Sequence, residues 1–240
     1  MPGRSESATI VVQQGPGWFA AFATTAEAPG QLPAHQLAER AGAWATRTLG
    51  RDVPVLYADQ QHTTVIFTFA AHRPLAPQPH HVGVCDGLLT AERGVALTVR
   101  TADCLPVVVT GGGVVAALHC GWRSLAGDIL GKCVRRFFTE FGVETHELEA
   151  VIGVGIGPCH YTVGREVATA LASVPVADEG WYIDGRADLA GWARGRLVAA
   201  GLSRGAIRTL PGCTACSAHH HSFRRDGAAA GRQWAAVVLT

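Results

Sequence analysis

The stretch Thr101-Ala102-Asp103-Cys104-Leu105-Pro106-Val107-Val108-Val109-Thr110-Gly111-Gly112-Gly113-Val114-Val115-Ala116-Ala117-Leu118-His119-Cys120-Gly121-Trp122 reads as an apolar strand, a turn and a second apolar strand. Glycines between two valine-rich runs signal a β-hairpin, because the turns that suit paired strands need φ > 0. Taking Gly111-Gly112 as the two-residue loop places Cys104 directly opposite His119. Opposed residues have Cβ atoms roughly 4.5–5.5 Å apart. A thiol and an imidazole at that separation can share a metal ion or form a nucleophile–base pair. A lone Cys or His is more often structural. Two at opposing positions, beside Asp103 and the polar turn Gly121-Trp122-Arg123, favour a site.

Working outward, strands are expected over 9–12 and 18–24, split by the Gly15-Pro16-Gly17 turn. A helix is expected over 34–49, where Leu37, Ala41, Trp44 and Ala45 share one face and Gly50 suits the C-cap. Strands over 53–57 and 64–69 flank a polar link that sets His62 at a strand end. Pro74, Pro77 and Pro79 mark 71–81 as a loop. Strands follow over 87–90 and 95–100, and a helix over 125–141, whose N-terminus suits an anion. Beyond it come a strand over 150–155, helices over 165–171 and 187–200, and strands over 207–210 and 234–239. Neither a repeat nor a linker interrupts this order, so one domain is expected over 1–240.

Of the 240 residues, 48% are hydrophobic and 16% charged, and the net charge is +1, which argues against a nucleic-acid or membrane partner held by charge. Lys132 is the only lysine; the other basic side chains are arginines, which suit bidentate phosphate or carboxylate binding. The first residues are polar and no apolar run approaches the ~20 residues of a membrane span. A cytoplasmic protein is the expectation, and its seven cysteines then read as thiols or metal ligands. Cys85, Cys120, Cys133 and Cys159 have no spaced histidine partner and are expected to be structural. Cys213-Thr214-Ala215-Cys216, with His219-His220-His221 behind it, supplies only half of a closed zinc set, and with no second ligand pair at ribbon spacing a structural zinc site is not the favoured reading. His80-His81 reads as a surface pair, and Arg224-Arg225-Asp226-Gly227 as a turn or a phosphate clamp.

Four of these segments, in this order, resemble one family. Thr101-Ala102-Asp103-Cys104-Leu105-Pro106, His119-Cys120-Gly121-Trp122-Arg123, Gly155-Ile156-Gly157-Pro158-Cys159 and Arg224-Arg225-Asp226-Gly227 are similar to the motifs of the laccase-domain proteins. That family is also labelled polyphenol oxidase, purine nucleoside phosphorylase or peptidoglycan editing factor. Gln60-Gln61-His62-Thr63 is similar to its Gln-Val-His-Gly, with the glycine lost. The resemblance runs from about His62 to the C-terminus. It implies an α/β layered sandwich (α-β-β-α, with mixed sheets) similar to the catalytic domain of cytotoxic necrotizing factor. It implies a zinc-dependent enzyme that cleaves adenosine, inosine or methylthioadenosine with phosphate and deaminates adenosine. The zinc ligands carry over as His62, Cys104 and His119, which are also the catalytic residues, and Arg123, Arg224 and Arg225 as candidate phosphate clamps. Three protein ligands leave zinc one open position, as catalytic sites require.

The N-terminal region departs from the family pattern. Phe22-Ala23-Thr24-Thr25-Ala26-Glu27 lacks the arginine of Phe-Thr-Thr-Arg, and the chain contains no asparagine, so the Asn-Leu-Gly segment is missing. Weakened phosphate binding is therefore expected. Two other readings remain. One is a metal-free Cys/His hydrolase with Cys104 attacking and His119 as base, suited to peptidoglycan precursor editing. The other is a non-catalytic relative. Copper is less favoured than zinc, because multicopper chemistry needs clustered imidazoles.

Overall fold

A computed structural model describes residues 10–71, 74–178 and 180–240. In chain order the first strands are β1 (Ile10–Gly15), β2 (Trp18–Ala23), β3 (Val55–Asp59), β4 (Ile66–Phe69), β5 (Pro79–Val84), β6 (Gly87–Thr90) and β7 (Ala96–Thr101). The others are β8 (Leu105–Gly111), β9 (Val114–Cys120), β10 (Glu149–Ile152), β11 (Tyr182–Ile183), β12 (Arg186–Ala187), β13 (Ile207–Thr209) and β14 (Gln233–Leu239). The helices are α1 (Ala34–Leu49), α2 (Trp122–Ala126), α3 (Ile129–Phe141), α4 (Arg165–Ala172), α5 (Leu189–Ala199) and α6 (Phe223–Asp226).

Two six-stranded sheets form the centre, in the orders β1-β2-β14-β7-β3-β5 and β13-β10-β8-β9-β6-β4. Both are mixed: β3 runs parallel to β5 and β7, and β6 parallel to β4, while β8 and β9 are antiparallel. Side chains alternate between faces along a strand. Val107 and Val109 of β8 and Val114, Ala116 and Leu118 of β9 pack with α3 and α5. Val108, Val115 and Ala117 instead meet Leu97, Val99, Ala235 and Val237 of the other sheet. Ala236 and Val238 of β14 point away from that interface, onto Leu37, Ala41 and Trp44 of α1. Four layers result, α-β-β-α. Strands buried on both faces read as unbroken apolar runs even when antiparallel, which is why 107–118 carries no polar alternation.

Helix α1 has the bounds its periodicity predicts, with Gly50 left-handed at φ 65° as C-cap. Elsewhere the structure differs. The last residues of the expected proline loop begin β5, which starts at Pro79 and forms the edge of its sheet. An edge strand's first residue is one of the few sheet positions where a missing N–H costs nothing. The hairpin loop is Gly112-Gly113 rather than Gly111-Gly112, with φ 55° and 74°. Residue 9, expected in the first strand, lies outside the described residues.

The single helix expected over 125–141 is two. Asp128 sits between them in the left-handed region at φ 64°, where Asp is tolerated better than most side chains, and breaks the ladder. Its carboxylate then caps α3 by accepting from the Gly131 N–H at 3.0 Å. It also accepts from Nε and Nη2 of Arg196 on α5, at 2.7 and 3.0 Å. Arg196 is buried, so this pair binds α5 to the helical layer. Asp128→Ala removes the cap and strands a buried guanidinium, which costs on the order of 3–5 kcal/mol. Urea midpoints should fall accordingly. Asp128→Asn keeps the cap and the left-handed preference and should fall less.

Candidate active site

His62, Cys104 and His119 reach one point from three parts of the fold. His62 lies on the β3–β4 link, Cys104 on the turn between β7 and β8, and His119 near the end of β9. Their donor atoms all lie within 4.8 Å of one another. His62 Nε2 is 3.5 Å from Cys104 Sγ, and the two imidazole rings meet edge to face with centroids 4.9 Å apart. The convergence expected from the sequence is therefore present, but the register that produces it is different. Leu105 pairs with Cys120 and Pro106 with His119, so Cys104 continues the ladder opposite Gly121. The shift relative to the expected register is two residues on one strand. An even shift keeps both side chains on the same face, and Cys104 and His119 become diagonal neighbours still within reach.

That face is the one turned toward the other sheet, where Val115 and Ala117 of β9 also point. The site sits at the open end of the space between the sheets. Gly121 is what lets the three side chains close up. A Cβ there would lie 2.5 Å from His62 Cδ2 and 3.1 Å from Cys104 Sγ. Two non-glycine residues of the site have left-handed backbones, His62 at φ 59° and Asp103 at φ 83°. Such conformations are sparsely populated and persist where their surroundings over-determine them.

For His62, Asp86 in the link between β5 and β6 is that determinant. Its carboxylate is fully buried. Oδ1 accepts from the His62 N–H at 2.9 Å and pairs with His119 Nδ1 at 2.7 Å. Oδ2 accepts from the Thr63 N–H at 2.7 Å, from Thr63 Oγ1 at 2.8 Å and from the Gln61 N–H at 3.2 Å. The Asp86 carbonyl accepts from the His119 N–H at 2.7 Å. One residue thus positions both histidines and leaves His119 Nε2 as the outward donor. The sequence reading missed it; the available signal was a lone carboxylate at the mouth of an apolar strand, Cys85-Asp86-Gly87.

Burial pushes the Cys104 thiol up, but the charge of His119 and hydrogen bonds from both histidines outweigh it and hold it at about 6. Burial pushes His119 down, while the Cys104 thiolate and the Asp86 carboxylate lift it to about 9. Both directions favour a thiolate beside an imidazolium. Burial disfavours the Asp86 carboxylate too, yet its hydrogen bonds from His119 and Thr63 bring it down to about 2. By contrast burial raises Cys85 to about 11 and Cys133 to about 12, and lifts Cys120 well above its ordinary range, as inert core thiols require.

The three donors form one wall of a cavity of about 500 Å³, within the ~300–1,000 Å³ of small-molecule sites. Arg123 and Arg224 line it, as expected. Arg225 does not. Its guanidinium donates to the carbonyls of Thr214, Ser217 and His220 and to the Asp226 carboxylate, so it holds a loop rather than a ligand. Arg100 and Arg232, which the sequence reading passed over, line the cavity instead. Four arginines therefore line it despite the arginine missing from the N-terminal motif. Arg224 is steered by its neighbours: its N–H donates to Asp103 Oδ2 at 2.6 Å and its Nη1 to the carbonyls of His160 and Thr162. Asp103 thus orients an arginine. Trp122, Tyr161 and Phe223 supply aromatic surface. Helix α2 starts at Trp122, earlier than expected, and its five residues are too short to carry the anticipated anion-binding helix terminus.

The CxxC pair also finds partners. Cys213 and Cys216 group with Cys159 and His160, all four donors lying within 4.8 Å, while His219, His220 and His221 stay outside the group. Cys159, expected to be structural rather than a metal ligand, is exposed and belongs to this group of donors.

Residues 33–240 match the family described as multi-copper polyphenol oxidoreductase laccase. A purine nucleoside phosphorylase of Streptomyces coelicolor is 33% identical over 200 residues, covering 79% of each chain. A purine nucleoside phosphorylase of Deinococcus radiodurans is 34% identical over 160 residues, covering 64% of this chain. The chain spans 61% of the length of that relative. The crystal structure of YlmD from Geobacillus stearothermophilus superposes with a TM-score of 0.84 at 26% identity, covering 98% of both chains. YfiH of Bacillus licheniformis superposes equally well, at 25% identity, over 99% of this chain and 98% of that one. The two mixed sheets and their helices are shared with these structures.

Asp86 has a sign that acid unfolding reads. Its folded pKa, about 2, lies below the ordinary 3.8. The unfolded chain binds the proton more tightly, so the stabilisation is complete above pH 3.8 and is lost as pH falls toward about 2. The shift corresponds to about 2 kcal/mol. Stability measured by urea unfolding across this range should drop by that amount. Asp86→Asn should flatten the acid limb and lower the midpoint at pH 7; an unchanged acid limb would count against Asp86 as the anchor.

Proposed function

The chain belongs to the multi-copper polyphenol oxidoreductase laccase family, and on that premise we propose that it is a single-domain, zinc-dependent purine nucleoside phosphorylase. It cleaves adenosine, inosine or methylthioadenosine with phosphate, and deaminates adenosine as a second activity of the same site. The names of the Streptomyces and Deinococcus relatives support this reading. The observation that carries it is the convergence of His62, Cys104 and His119 on one wall of a cavity whose rim bears four arginines.

The donor set fits zinc. Two imidazoles and one thiol are zinc's usual ligands, and Asp86 on His119 Nδ1 supplies the carboxylate–histidine support typical of such sites. Bound there, zinc would contribute a Lewis acid with an open fourth position. In phosphorolysis a phosphate oxygen bonds to the ribosyl carbon as the bond to the purine nitrogen breaks, and the freed base takes up a proton. The work left to the protein is positioning and charge stabilisation. Arg123, Arg224, Arg100 and Arg232 hold phosphate, and Trp122 and Tyr161 hold the base by its faces. The seven free thiols suit a reducing compartment, and we assign the protein to the cytoplasm. Among the described residues no helix is long and apolar enough to cross a membrane.

One observation favours a second reading. Asp86, His119 and Cys104 form a carboxylate–imidazole–thiol series, the arrangement of a Cys/His hydrolase acting without metal. The third donor, His62, argues for the metal, since such a hydrolase has no need of it. Copper oxidation is disfavoured because multicopper chemistry needs many clustered imidazoles, and the two Cys/His groups among the described residues hold three between them.

Purified protein should contain zinc and release free base from a purine nucleoside only when phosphate is present. Cys104→Ala should lose the metal of this site and turnover together. Removing one charge-assisted phosphate contact costs about 1.5–3 kcal/mol, so Arg224→Ala should raise the KM for phosphate roughly ten- to hundredfold. Arg225→Ala should lower thermal stability and raise that KM less than Arg224→Ala does. Metal-free protein that cleaves an amide substrate through Cys104 would replace this reading with the hydrolase.

A further inference from the structure

Cys213 and Cys216 find their second ligand pair in Cys159-His160, on the turn that follows β10; His160 precedes Cys213 by 53 positions. No zinc-ribbon spacing connects the two halves, so the sequence leaves them apart. In the fold the Cys159–Cys216 Sγ–Sγ distance is 3.5 Å. His160 Nδ1 is 3.3 Å from Cys159 Sγ, 3.3 Å from Cys216 Sγ and 3.9 Å from Cys213 Sγ. A tetrahedron with metal–sulfur bonds of ~2.3 Å and a metal–nitrogen bond of ~2.0–2.1 Å has edges of roughly 3.5–3.8 Å. Four of the six edges among these donors measure 3.3–3.9 Å, and all six lie within 4.8 Å.

We propose that Cys159, His160, Cys213 and Cys216 bind a second zinc ion as a closed, structural Cys3His centre that clamps the two loops at the rim of the active-site cavity. Four protein ligands leave no open coordination position, which distinguishes a structural from a catalytic zinc. The surroundings agree with a thiolate set. The Gly157 N–H donates to Cys213 Sγ at 3.1 Å, and the Cys216 N–H turns back to the Cys213 carbonyl at 3.1 Å, so the CxxC loop wraps around one point. Such outer hydrogen bonds orient metal ligands.

The clamp touches the cavity through three contacts. The His160 carbonyl accepts from Arg224 Nη1 at 3.1 Å. Tyr161, next in sequence, lies under the Arg224 guanidinium and lines the cavity. Thr214, inside the CxxC, donates through Oγ1 to Asp103 Oδ1 at 2.5 Å, and Asp103 in turn holds the Arg224 N–H. His160 and Thr214 are thus positioning residues for Arg224. This explains why a chain with free exposed thiols at Cys159 and Cys216 keeps them within a few ångströms of each other.

Metal analysis of the Cys104→Ala protein separates this centre from the active site. Purified from zinc-containing medium, it should carry one zinc per chain, with three sulfurs and one nitrogen around it by X-ray absorption. Adding Cys213→Ser and Cys216→Ser should take the zinc to none. If that variant fails to fold, Cys159→Ser and His160→Ala, each on an exposed turn, should each lower zinc retention against a chelator. Zinc-free Cys104→Ala protein would overturn the proposal, as would zinc retained after Cys213 and Cys216 are replaced. X-ray absorption that finds two or more nitrogens around the zinc of Cys104→Ala would also overturn it. Failure of the phosphorylase reading would leave these outcomes unchanged, because they do not depend on turnover.

Discussion

The buried carboxylate of Asp86 is the constraint around which the site is arranged. Five hydrogen bonds end on its two oxygens, from three consecutive residues of one link and from the side chain of His119 on another strand. An unpaired carboxylate at this depth would be prohibitively costly, so the link must curl around it. That curl forces His62 into a left-handed backbone and delivers its imidazole to Cys104. The same oxygen that receives the His62 N–H fixes the orientation of His119. Placement of both imidazoles is therefore one event rather than two.

The second determinant is the gap between the sheets. Strands β8 and β9 bury one face on helices and the other on β7 and β14. Such strands have no solvent face along their length, and polar chemistry is confined to their ends. Cys104, just before β8, and His119, near the end of β9, occupy one such end, and Arg100 and Thr101, at the end of β7 in the opposite sheet, line the same cavity. The cavity opens where the apolar filling stops.

Charge around this cavity is arranged by backbone carbonyls as much as by carboxylates. Arg224 and Arg225 are adjacent and alike, yet only the first faces the cavity. Arg225 is saturated by three carbonyls and Asp226, while Arg224 keeps part of its fork directed past Tyr161. Neighbouring arginines on a single helical turn point in different directions, so a pair that reads as one clamp divides into a structural and a ligand-facing residue.

Much was present in the sequence because it is local. Helix α1 follows from its own periodicity and a C-terminal glycine, and the hairpin from its glycines. Cys104 and His119 were recognisable because a hairpin joins them and because an even register error leaves side chains on the same face. His62 was reached through its resemblance to a motif. What only the tertiary structure decided lies across long separations. Asp86 stands 24 positions from His62 and 33 from His119, and Cys159 stands 57 from Cys216. No periodicity or spacing rule connects such residues. They meet because the two sheets bring their connecting loops together when they bury their apolar faces on each other and on the helices.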